Sequence, residues 1–108
     1  MEFEWDNEKN RKNIEKHGID FADAALIFDY PVLVYEDDRK EYGEKRFCGV
    51  GVLKETDLFV SYTIRGNTIR LISARRARKD ERQKYRTIYA AQSSERKNGL
   101  EQNQKIVR

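Results

Sequence analysis

Between Arg70 and Tyr85 the chain reads RLISARRARKDERQKY, with arginines at positions 70, 75, 76, 78 and 82. A guanidinium is planar, stays charged at physiological pH and can engage two phosphate oxygens at once. The run begins as an apolar strand and ends as a charged helix. The helix start near Lys79 turns backbone N–H groups toward the same place, which favours anions. Arg65 lies just before the turn that leads into this strand. Tyr62, Tyr85 and Tyr89 could offer rings to unpaired bases, so arginine beside tyrosine points to single-stranded RNA chemistry. Plainer readings compete: Arg82 could pair locally with Asp80 or Glu81, and Tyr85 and Tyr89 have the spacing of core residues.

His17 is the one histidine, and its ordinary pKa suits proton transfer near neutrality. It also stands at a helix end just before Gly18, where a histidine meets the macrodipole favourably. With one imidazole and one thiol, no metal-ligand set with catalytic spacing can be assembled, and no cofactor is expected. The acidic triplet Glu36-Asp37-Asp38 reads as a solvated loop. The glycines of GVGV lie in a strand without the helix that a phosphate loop requires. Ser61 and Ser73 have ordinary strand settings, and Cys48 reads as a small core residue.

The elements that must position these groups follow from pattern. FEW is a short strand or lead-in. DNEKNRKNIEKHG is a first helix, with Asp6 as N-cap and Gly18 just past its end. DFADAALIF is a second helix capped by Asp20 and stopped by Pro31. PVLVYED, RFCGVGVLK, LFVSYTIRG and IRLISARRA then read as four strands, joined by DRKEYGEK, ETD and the Gly66-Asn67 turn. Alternation in the last strand predicts Ile69, Leu71 and Ser73 on one face, with Arg70, Ile72 and Ala74 on the other. KDERQKYRTIYAAQ is a third helix, with Tyr85, Ile88, Tyr89 and Gln92 along one face. The expected fold is therefore α+β: two N-terminal helices, a four-stranded antiparallel sheet and a C-terminal helix.

Length and charge agree with that layout. At 108 residues the chain is expected to form one domain over residues 1–91, with a polar, flexible tail over 92–108. Mean hydropathy is −0.94, yet aromatic residues make up 11%, which favours a folded domain over a disordered chain. No run approaches the length of a membrane helix, and the acidic start is unlike a targeting peptide, so a cytoplasmic protein is expected. Residues 1–29 hold four basic against eight acidic side chains, and 30–69 six against seven. Residues 70–108 hold twelve against four. A cationic final third implies one surface that faces a polyanion.

WDNEKNRKNIEKHGIDFADAALIFD followed by IRLISARRARKDERQKY resembles the BrnT family of bacterial type II toxins. The resemblance spans residues 2–90 and rests on Trp5-Asp6, Lys16-His17, Phe21, Ala24, Ile72 through Ala77, Glu81-Arg82 and Tyr85. It implies a RelE-like fold that inhibits growth by cutting RNA without a metal. It also implies a BrnA-like antitoxin that neutralises the toxin and carries operator-DNA binding for the complex. Arg78 departs from the pattern, since relatives often have threonine there, where it would form a capping box with Glu81. On this resemblance the catalytic candidates are His17, Arg65, Arg75, Arg78 and Tyr85. The RNA-binding candidates are Lys9, Lys16, Arg70, Arg76 and Arg82, while Trp5, Phe21 and Phe28 are assigned to the core. The alternative is a non-catalytic basic module that binds nucleic acid or an acidic partner protein.

Overall fold

The computed structural model describes residues 1–97 and 106–107, with side chains through Tyr89. Its elements are β1 (Glu2–Glu4), α1 (Asn7–His17), α2 (Phe21–Ala24), β2 (Val32–Asp37), β3 (Arg46–Leu53), β4 (Thr56–Arg65), β5 (Thr68–Arg76), α3 (Lys79–Lys97) and β6 (Ile106–Val107). Among the described residues, no helix is long and apolar enough to cross a membrane.

The α+β class stands, but the four-stranded antiparallel sheet does not. The sheet is mixed, with five strands in the order β1-β5-β4-β3-β2, and the two-residue β6 lies against the outer side of β2. β2 through β5 form the expected antiparallel meander. β1 adds to it in parallel, pairing Glu2 with Thr68 and Glu4 with Arg70. Three residues are too few to show a period, and no turn links β1 to β5, so local sequence carries no sign of this pairing. It satisfies the edge of β5 and sets Phe3 against Phe28, with ring centroids 5.7 Å apart.

The pair of N-terminal helices needs correcting too. Asp6 caps α1 by accepting from Glu8 N and Lys9 N, and Gly18 closes it at φ 72° with its N–H on Ile14 O. Asp20 caps α2 as expected, but α2 is a single turn that tightens into a 3-10 segment over Ala25–Asp29. Tyr30 then extends to meet Pro31. The tighter segment lies close upon β3, where a Cβ on Gly51 would come within 3.0 Å of Ile27 Cβ. Gly51→Ala is therefore expected to cost about 1–3 kcal/mol, read as a lower urea midpoint.

Two cores flank the sheet. On the α1/α2 face, Phe21, Ala24 and Ile27 pack on Val32, Val34, Leu58, Val60, Tyr62, Ile69, Leu71 and Ala74. On the other face, Tyr85 and Tyr89 of α3 pack on Leu33, Val50 and Ala77. Their hydroxyls donate to Pro31 O at 2.8 Å and Val32 O at 2.9 Å, which ties α3 to the start of β2. Ile88, expected on the same face, is 38% exposed. α3 continues to Lys97, past the expected domain end at 91, and the Gln92 side chain and residues 98–105 of the expected tail lie outside the described residues.

The alternation expected in β5 is broken by a bulge. Tyr62 pairs with Leu71 and Ser61 with Ser73, so Ile72 is an extra residue. Ala74 rather than Ser73 thus joins Ile69 and Leu71 in the core. Beyond the end of β1, the buried Asn13 takes the place of a neighbouring strand. Its Oδ1 accepts from Ala74 N at 3.1 Å, while its Nδ2 donates to Ala74 O and Ile19 O at 2.9 Å each.

Candidate functional site

The bulge decides where the arginines go. Because Ala74 faces α1 and α2, Arg75 faces α3, where its guanidinium lies 4.0 Å from the centre of the Phe59 ring. From there it reaches Glu81 with a forked pair, both bonds 2.9 Å. Glu81 Oε1 also accepts from Arg78 N at 2.7 Å. Arg78 is thus the residue before the first turn of α3, and the Glu81 half of the capping box persists although threonine is absent. Burial works against the Glu81 charge, but the hydrogen bonds from Arg75 and Arg78 outweigh it and the carboxyl pKa is lowered.

Arg75, the exposed Arg78 and Glu81 border a cleft of about 280 Å³ with Tyr35, Cys48 and Phe59. The Asp37 carboxylate forms its far wall, held by Arg39 at 2.8 and 2.9 Å and by the Tyr42 hydroxyl at 3.1 Å. These bonds, Arg39 foremost, hold its carboxyl well below the usual range. Burial raises the Cys48 thiol pKa, which suits its place in β3 rather than a nucleophile's role. Among the described residues, no three His, Cys, Asp or Glu side chains form a group able to hold a metal ion.

His17 ends α1, half-buried, one helical turn after Asn13. Burial lowers its pKa, and the charges of Lys16 and Arg75 lower it further. An imidazole in this setting is neutral at neutral pH and within the electrostatic reach of Arg75. Lys9 and Lys16 are exposed on α1, two turns apart.

The other candidates are placed elsewhere. Arg76 points to the α1/α2 face, in a shallow cleft with Gly18, Ile19 and Asp23. Arg82 does not pair with Asp80 or Glu81: its Nη1 donates to Ala77 O at 2.9 Å and its Nε stands 3.9 Å from the buried Asp57. Asp57 also receives Arg86 at 2.6 Å, so these residues fasten the start of α3 to β4. Arg65 and Arg70 share a face with Arg75 but sit toward the hairpin end: Arg65 is six residues along β4 from Phe59, about 20 Å, and Arg70 pairs with Thr63, four residues along, about 13 Å. There Arg70 pairs with Glu4 at 3.2 Å, and Arg65 with Glu44 at 3.3 Å.

The three tyrosines weighed as base platforms are all buried, and for Tyr85 and Tyr89 the core reading holds. Tyr62 packs between Phe28 and Phe47, and Tyr85 lies against Tyr89 with centroids 4.8 Å apart. The exposed ring near Arg75 is instead Tyr35, 6.4 Å from Phe59. Its signal was present in VLVYED, where alternation puts Leu33, Tyr35 and Asp37 on one face. Glu81, which fixes Arg75, was visible as a helix cap and as a possible partner of Arg82, not of Arg75.

With this geometry the chain can be set beside known proteins. The family model described as ribonuclease toxin, BrnT, of type II toxin-antitoxin system matches residues 5–81. Among solved structures, the 1.1 Å crystal structure of the Brucella abortus ribonuclease toxin BrnT is similar, with a TM-score of 0.60 and 28% sequence identity. That similarity covers 73% of this chain and 99% of the other. No curated protein sequence matches.

Proposed function

This chain belongs to the BrnT family of ribonuclease toxins of type II toxin-antitoxin systems, and from that membership we propose that it cuts RNA without a metal at the exit of β5. The supporting observation is Arg75, held between Phe59 and Glu81 beside the exposed Arg78 where β5 leaves the sheet. Arg75 and the exposed Arg78 bind the scissile phosphate and stabilise the charge that builds on it. His17 accepts the proton of the attacking 2′-hydroxyl. The 2′-oxygen bonds to phosphorus, the bond to the 5′-oxygen breaks, and that oxygen leaves with a proton from water. The products are a 2′,3′-cyclic phosphate and a 5′-hydroxyl end. Lys9 and Lys16 flank the approaching strand, and Arg65 and Arg70 hold it further along the sheet.

A type II toxin has an antitoxin partner. A BrnA-like protein in the cytoplasm fills that role by covering the arginine face, and operator DNA is bound only through the complex. Uncovered, the toxin stops translation and growth.

A base must be unprotonated to act, and the His17 pKa lies below its ordinary 6.5. Cleavage of labelled RNA in a chelator is therefore expected to keep more than half its rate at pH 6.5, with the midpoint of its acid limb below that pH. His17→Ala should remove this acid limb and slow cleavage by about 10²–10⁴-fold. A purified chain that shifts RNA on a gel but never shortens it would replace this mechanism with the binding-module reading.

A further inference from the structure

We propose that Tyr35, with Phe59 as its floor, forms a subsite on which an unpaired RNA base stacks beside the phosphate held by Arg75. This deepens the RNA-cleaving reading above and rests on it. The Tyr35 ring is 39% exposed, whereas Leu33, two residues earlier on the same face, is covered by α3. α3 runs beside Tyr35 but leaves an open groove there, lined by Asp80, Gln83 and Lys84, so the ring is not sealed in the core. Its centroid is 6.4 Å from that of Phe59 at an interplanar angle of 59°, and the Arg75 guanidinium of β5 lies over the Phe59 ring from the neighbouring strand. An exposed ring, a half-buried ring and a guanidinium thus run in sequence across the sheet.

The cleft that contains them is open above, and its wall at Asp37 is fixed by Arg39 and Tyr42. A nucleotide presents a charge and a flat apolar face, one bond system apart. The row offers a partner for each. Stacking tolerates every base because each has a π-face, so this subsite supplies affinity and register more than sequence choice.

The test uses the full chain and a 2′-O-methyl oligoribonucleotide carrying 2-aminopurine, which no 2′-hydroxyl attack can cut. Wild-type protein should quench the fluorescent base on binding. Tyr35→Ala should weaken binding roughly 5- to 150-fold and abolish the quench, with an unchanged salt slope because no phosphate contact is lost. Tyr35→Trp should bind as wild type. Arg75→Ala should instead lower the salt slope by about one. If Tyr35→Ala binds and quenches as wild type while Arg75→Ala weakens binding, the stacking subsite is overturned and the phosphate site stands. If neither substitution changes binding, the phosphate site fails and the subsite falls with it. The urea midpoint of Tyr35→Ala, expected near wild type for so exposed a side chain, separates lost stacking from lost folding.

Discussion

Arg75→Ala is expected to slow RNA cleavage by about 10²–10³-fold, the usual loss when one aimed donor to a developing charge is removed. Arg75 stands apart from its neighbours because it is both aimed and fixed. Phe59 sets the plane of its guanidinium, and Glu81 takes one forked edge. Arg82 is spent on Ala77 O and the neighbourhood of Asp57, while Arg76 faces the other side of the sheet. Arg75→Lys keeps the charge but cannot present two parallel donors, so it should recover only a fraction of the rate. Both substitutions leave Glu81 short of its partner, and unfolding curves must accompany the rates. A folded Arg75→Ala protein that cuts RNA at the wild-type rate would place the phosphate elsewhere.

Asn13→Ala should produce the largest loss of stability, about 2–4 kcal/mol, seen as a drop in urea midpoint. The amide satisfies three backbone groups at once: Ala74 N–H, Ala74 O and Ile19 O. Ala74 is fully buried, so water cannot easily replace these bonds. Asn13→Asp should do no better, because it keeps an acceptor for Ala74 N–H but turns a carboxylate oxygen toward two carbonyls. His17 lies one turn further along the same helix, so cleavage should fall with stability in either variant. A midpoint within the error of wild type would mean that α1 is held by its other packing.

Much of this was legible in the sequence, and the failures have definite physical sources. Caps at Asp6, Asp20 and Gly18 are local hydrogen-bond chemistry, and each could be placed from its own few residues. The meander was legible because each turn sits between the strands it joins. The β1–β5 pairing was not, since its partners are more than sixty residues apart and share no turn. The bulge at Ile72 escaped because a two-residue period carries no marker for an inserted residue, and that one residue moved Ala74 into the core. At the site, residue type was enough to bring His17, Arg75 and Arg78 into consideration. It could not tell which of six arginines already had partners. Residue type also left two readings of the tyrosines open: Tyr62, Tyr85 and Tyr89 match helix or strand core positions as readily as base platforms, and burial decides for the core.

The Asn13 bridge also bears on how the sheet meets other extended chains. A strand edge with free N–H and C=O groups is a template for any other extended chain. Here one edge is shared between β1, which covers Thr68 to Arg70, and a single amide side chain at Ala74. At the opposite edge, the backbone of Ile106–Val107 runs along β2. Asn13 thus acts as a gatekeeper against sheet-to-sheet association, a duty separate from its contribution to folding energy.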